Sequence, residues 1–284
     1  MASTTSILVA TIAVLGACGP GGREGDDQPG IDASGSDTGG TTDMSRVYAH
    51  SRDTLYRMNP LTLSPMRIGT MTGVTGSLLD LAVDKTDRIV GASRTELYLI
   101  NSSSGAVSVI RTFDDTTQDL TSLSFIPGAD PNDPEILVAA RKDNGDVFQI
   151  NETNGTATKI GNYGMHNGMQ VKSSGDIFGV RGFGIFATVD VGTDGLDYLA
   201  RVDPANGWKA TPLAQDTGHD KIFGLGFWRG KIYGFVDTTP AGANPTPTGS
   251  VIQIDEVTGT AIELASGGEQ WFGAGVTTNA PIIQ

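Results

Sequence analysis

The chain has 284 residues, 38% of them hydrophobic, and a formal net charge of −13 at pH 7. That acidic balance, with no basic tract, excludes a surface built to neutralise phosphates, so nucleic acid is not an expected partner. A lone cysteine, Cys18, excludes a disulfide framework, and stability must come from a core, for which the apolar runs are ample.

The first element is a short apolar run, 7–15, followed by small residues and Cys18. It is too short to stay in a bilayer as a helix and reads as a signal-peptide core over 1–17. The segment Leu15-Gly16-Ala17-Cys18 resembles the lipobox of bacterial lipoproteins, although residues 1–6 carry no Lys or Arg. The resemblance implies cleavage before Cys18, lipidation of that cysteine and a membrane-held protein of the cell envelope. Gly19 after the cysteine leans toward the outer membrane. Residues 19–43 are Gly, Asp, Ser and Thr with almost nothing apolar, and with six acids against Arg23 they carry −5 of the total charge. Such a segment cannot bury enough surface to offset its ordering, so 18–43 is expected to be a tether and 44–284 the folded part.

From Leu55 onward a strand, a tight turn and a second strand recur: LYRMNPLTLSP, LYLINSSSGAV, VFQINETNGTA, LARVDPANGWK and VIQIDEVTGTA. The turn opens on Asn59, Asn101, Asn151, Asp203 and Asp255, at spacings of 42, 50, 52 and 52 residues. Asn or Asp there bonds nearby backbone, and four residues later Gly105, Gly155, Gly207 and Gly259 supply positive φ. The first copy has Leu63 instead, and a different turn is expected for it. Between these hairpins lies a second pair of apolar stretches, as in LLDLAVDKTDRIVGAS from Leu78 and HNGMQVKSSGDIFGVRG from His166, where MQV and IFGVRG read as first and second strands. The unit thus holds four strands, within the range of a propeller blade. RVYAH near the start supplies only a second strand and WFGAGVTTN from Trp271 only a first, so joining them completes a fifth blade. The expected fold is all-β, a five-bladed β-propeller closed between its N- and C-terminal strands. The hairpin resembles those of secreted bacterial propellers of the YVTN or quinoprotein-like repeat type, a likeness that bears on architecture and leaves function to the site.

In such a fold the blade-to-blade loops and the loops between second and third strands share one face. Two of the latter look enlarged, 181–198 and 236–250, and long loops in a compact domain favour function. The candidate ligand-binding residues there are His50, Asp119, His166, His219, Asp220, Glu269 and Trp271. Asp190, Asp194 and Asp197 have a superficial calcium-loop spacing without the closing Glu, and short Asp/Gly loops are usually turns. The three histidines lack tight metal-ligand spacing. Asp80, Asp119, Asp220 and Glu269 gather at first-strand entries, where two carboxylates in a funnel would suit hydrolysis, while their repetition, with Arg52, Arg94, Arg141 and Arg181 nearby, suits structure. No cofactor is expected. The sequence favours a monomeric, non-catalytic lipoprotein that binds a protein or glycan. The alternative is a glycosidase- or lactonase-like hydrolase with its site at the channel mouth.

Overall fold

Alternating apolar runs bounded by Asx and Gly turns pair as short antiparallel ladders, and among the described residues five such ladders are arranged in a ring. This computed structural model describes residues 46–113, 119–193, 195–242 and 245–282; the proposed leader, Cys18 and the tether lie outside them. Blade 1 is β21 (Gly273–Val276), β1 (Val47–His50), β2 (Thr54–Met58) and β3 (Pro65–Thr70). Blade 2 is β4 (Asp80–Val83), β5 (Ile89–Ala92), β6 (Glu96–Ile100) and β7 (Val107–Thr112). Blade 3 is β8 (Ser124–Ile126), β9 (Ile136–Ala140), β10 (Asp146–Ile150) and β11 (Ala157–Asn162). Blade 4 is β12 (Met165–His166), β13 (Met169–Val180), β14 (Gly184–Val191), β15 (Tyr198–Asp203) and β16 (Lys209–Pro212). Blade 5 is β17 (Ile222–Trp228), β18 (Lys231–Asp237), β19 (Gly249–Ile254) and β20 (Ala261–Ser266).

The ring closes as the sequence implies: β21 pairs with β1, Val47 opposite Val276 and His50 opposite Gly273. First strands β4, β8 and β21 are buried along their whole length, whereas the fourth strands β3, β7 and β20 are mostly exposed. The core therefore lies around the axis and between neighbouring blades, with Trp228, Tyr98, Phe178, Phe186 and Phe235 among its largest members. After β21, residues 277–280 bond three blades in turn. Thr277 Oγ1 donates to Asp84 O at 2.9 Å, Thr278 Oγ1 donates to Glu135, and Arg181 N donates to Thr278 O at 2.9 Å.

Two expectations are corrected here. Leu63 makes the same turn as its glycine counterparts, with φ 59 and a Leu63 N to Asn59 O bond of 2.8 Å, equal to Gly105 N to Asn101 O. The turn at Asp203 is the one that differs: it contains a single 3-10 turn, Pro204–Asn206, and closes one residue later, Trp208 N to Asp203 O at 3.0 Å. In blade 4, MQV and IFGV both belong to β13, which passes through a bulge between Ser173 and Ile177, and the second strand β14 fills half of the stretch expected to be an enlarged loop. What remains of that loop is 192–197. Arg181 consequently lies at the β13–β14 turn, away from Arg52, Arg94 and Arg141.

Candidate functional site

Strand direction gives the propeller two ends. A loop face carries the links from second to third strands and from blade to blade, and a turn face carries the turns from first to second strands. Around the axis, just beneath the loop face, three carboxyls span blade joints. Asp80 opens β4: its Oδ1 accepts from Leu81 N and its Oδ2 from Leu123 N of blade 3, both at 2.8 Å. Asp176 sits in the β13 bulge, where Oδ1 accepts from Ile177 N at 2.6 Å and Oδ2 from Leu225 N of blade 5 at 2.5 Å. Asp197, ahead of β15, accepts from Ile222 N of blade 5 at 2.8 Å. Each carboxyl does for the next first strand what a ladder does within a sheet.

Asp80 and Asp176 also hydrogen-bond one another, so the pair links blades 2 and 4. Both are buried, at 1% and 0% exposure. Burial pushes both carboxyls well above the ordinary range, and the neighbouring Asp176 charge pushes Asp80 further. Two like charges in so dry a place do not readily ionise together, so burial and mutual repulsion both favour protonation of the pair. Burial likewise raises Asp197 to about 7, with Asp190 and Asp220 adding repulsion. The Tyr163 hydroxyl, fully buried and within reach of the Asp176 charge, is raised too.

Of the residues singled out from sequence, His50 joins this axial group. It ends β1 fully buried, and its Nδ1 lies 2.9 Å from Ser51 O. Its Nε2 and Asp80 Oδ1 crowd the same side of Gly273, where an added Cβ would sit 2.7 Å from Nε2 and against the carboxyl. Burial lowers His50 to about 4, so the ring is neutral. Trp271 is also inside, edge-on to Tyr56 and Phe235 with ring centres 5.5 Å away in both cases, and is core. Asp119 is exposed and pairs with Arg94 at 3.2 Å. Asp220 is exposed and accepts from Lys221 N at 2.8 Å. His219 is half-buried, its carbonyl accepting from Asp197 N at 2.7 Å. Glu269 is half-buried in contact with the Tyr56 hydroxyl, and His166 is half-buried in β12.

Asp190 and Asp197 are both buried and close enough to repel, while Asp194 lies outside the described residues. Among the described residues, no group of three or more His, Cys, Asp or Glu side chains is arranged to hold a metal ion. Sequence reasoning missed Asp176 because KSSGD reads as a turn. The signal that marks it is shared with Asp80: an Asp immediately before an apolar run, DLAV at one and DIFG at the other. The other enlarged link, between β18 and β19, has a threonine stem, with Thr238 Oγ1 donating to Thr248 Oγ1 at 3.0 Å and Thr248 N to Thr239 Oγ1 at 3.1 Å.

No protein-family model matches the chain, and no curated protein matches it. Solved structures similar to it include a chain of a nidogen/laminin complex, at 12% identity and TM-score 0.46, covering 84% of this chain and 100% of that one. A putative TolB from Agrobacterium tumefaciens is similar at 14% identity and TM-score 0.45, covering 80% and 79%. The periplasmic gluconolactonase of Pseudomonas aeruginosa follows at 13% and 0.37, covering 78% and 68%. Similarities this distant assign neither family nor activity.

Proposed function

We propose that this chain is an exported, lipid-anchored propeller whose loop face binds a protein or glycan partner and performs no reaction of its own. The observation that carries the reading is the burial of the titratable cluster. Asp80, Asp176, Asp197, His50 and Tyr163 are each at most 1% exposed, and the oxygens of the central pair are engaged by backbone N–H groups of their own and neighbouring blades. A general acid or base must come within hydrogen-bond reach of a substrate proton, and these groups face other strands. What the loop face offers to solvent is the threonine-stemmed link and exposed side chains such as Leu196, a composition suited to recognition.

The test is photo-crosslinking in the native envelope, with a photoreactive residue at Leu196 or Ala241 on the loop face, or at Val257 in the Asp255 turn. The expected result is a discrete adduct from the first two positions, none from the third, and loss of all membrane-associated signal in Cys18→Ala. Equal labelling from all three positions overturns the binding face. Turnover of a glycoside or lactone panel by the purified chain, abolished in Asp80→Asn or Asp176→Asn, overturns the non-catalytic reading in favour of the hydrolase.

A further inference from the structure

Blade 4 is the one sheet of the five with an extra strand, the two-residue β12 that folds back on the start of β13. The sequence Met165-His166-Asn167-Gly168-Met169-Gln170 is a hairpin whose two turn residues both have positive φ, 49 for Asn167 and 79 for Gly168, the pattern of a type I′ turn. Its base is fixed: Gln170 Nε2 donates to Asn144 O at 3.0 Å and Gly164 O at 2.9 Å, and Gly192 N donates to Gln170 O at 3.0 Å. The tip therefore stands as a held ribbon on the loop face.

Its register places His166 directly opposite Met169, on the same side of the ribbon. Such cross-strand neighbours have Cβ atoms about 5 Å apart, close enough for an imidazole nitrogen and a thioether sulfur to meet one ion. Met169 is 46% exposed, and its Sδ lies against Gly192, where an added Cβ would be 2.7 Å away. Asn167 Nδ2 is 2.9 Å from His166 Nε2, and since an amide N–H only donates, that contact fixes Nε2 as the nitrogen with the free electron pair. Met165, 51% exposed and paired with Gln170, lies on the opposite side of the ribbon and is no part of the donor set. Thioether sulfur with imidazole nitrogen is a soft donor set, one that Mg2+, Ca2+ and other hard cations do not favour and that monovalent copper does.

We propose that the β12–β13 hairpin is a binding site for a soft monovalent metal ion, Cu(I), held by His166 Nε2 and Met169 Sδ, with Asn167 yielding its place to the ion. The proposal is independent of the partner-binding reading, since it needs only the hairpin.

The experiment titrates the full chain, with methyl-labelled methionines, with Ag(I) as a redox-inert stand-in, and then with Cu(I) against a chromophoric chelator. The expected result is a shift of the Met169 methyl signal that saturates at one equivalent, with Met58 and Met71 in the core unmoved. His166→Ala and Met169→Leu should each abolish the saturating shift while leaving the thermal midpoint unchanged; Met165→Leu, on the opposite side of the ribbon, should leave it intact. An unmoved Met169 signal in the wild-type chain overturns the proposal without any variant. So does a shift that persists in His166→Ala, or one that fails to saturate and moves the exposed Met66 equally, since these mark adventitious thioether binding.

Discussion

Asp197 shows how one side chain couples a blade joint to pH. Its carboxyl titrates near 3.8 when unfolded and at about 7 in the fold. A raised folded value means that the native state holds the proton more tightly, so the contribution is full below about pH 4 and is lost as pH rises through 7. The Asp80–Asp176 pair acts in the same direction. His50 acts oppositely: lowered from 6.5 to about 4, it contributes fully above pH 6.5 and loses that contribution as pH falls toward 4. In Asp197→Asn the amide keeps an acceptor for Ile222 N and cannot ionise. The thermal midpoint of the wild-type chain should therefore fall between pH 6.5 and 8, where His50 no longer titrates, and Asp197→Asn should flatten that slope. At pH 8 the variant should be the more stable, by up to about 4 kcal/mol. Parallel midpoint profiles for the two proteins would refute the assignment. Residues of this kind were half legible: Asp80 stood out as an acid at a first-strand entry and Asp197 only within a calcium-like Asp spacing, but Asp176 was hidden by a bulge that no periodicity announces. Burial also separates Trp271, a core residue, from the exposed Asp119, a distinction that residue type alone does not make.

At the scale of the element, the five Asx turns are also the contacts between blades. An added Cβ at Gly155 in blade 3 would sit 2.5 Å from Thr112 O of blade 2, and one at Gly259 in blade 5 would sit 2.5 Å from Gln215 O in the link from blade 4. Glycine is needed there twice over, for positive φ and for close approach of two backbones. Leu63 solves the same problem differently: its side chain packs against the cluster that contains Trp228 and Tyr233, which offsets the strain of φ 59. Gly155→Ala should accordingly destabilise the chain by roughly 1–3 kcal/mol in urea unfolding; a neutral result would show that the blades give way at this joint. The repeat made this element readable from sequence, down to which residue opens each turn. The partition of blade 4 was not readable, because β13 is a 12-residue strand whose bulge contains Ser-Gly-Asp, the composition of a turn.

For the whole molecule the decisive contact is between the two ends of the described chain. Four sheets are made of sequence neighbours, and the fifth is completed only when β21 pairs with β1. The segment beyond it then ties blades 2, 3 and 4 through Thr277 and Thr278. Deleting 271–284 should abolish the cooperative urea transition and near-ultraviolet dichroism together, whereas deleting 281–284 should leave both. A truncated chain that still unfolds in one sharp transition would mean that the ring tolerates an open blade. This level was the most legible, because an orphan second strand at one end and an orphan first strand at the other have one economical solution.

That closure also sets an order of events in time. A ribosome or a translocation channel delivers β1, β2 and β3 first and β21 last, so blade 1 waits without its innermost strand while every other blade emerges. The contact that seals the ring joins residues far apart in the chain, the kind of pairing that forms slowly. A chain passing through a narrow pore in sequence order thus stays short of its native ring until nearly all of it is across, and it locks on the far side.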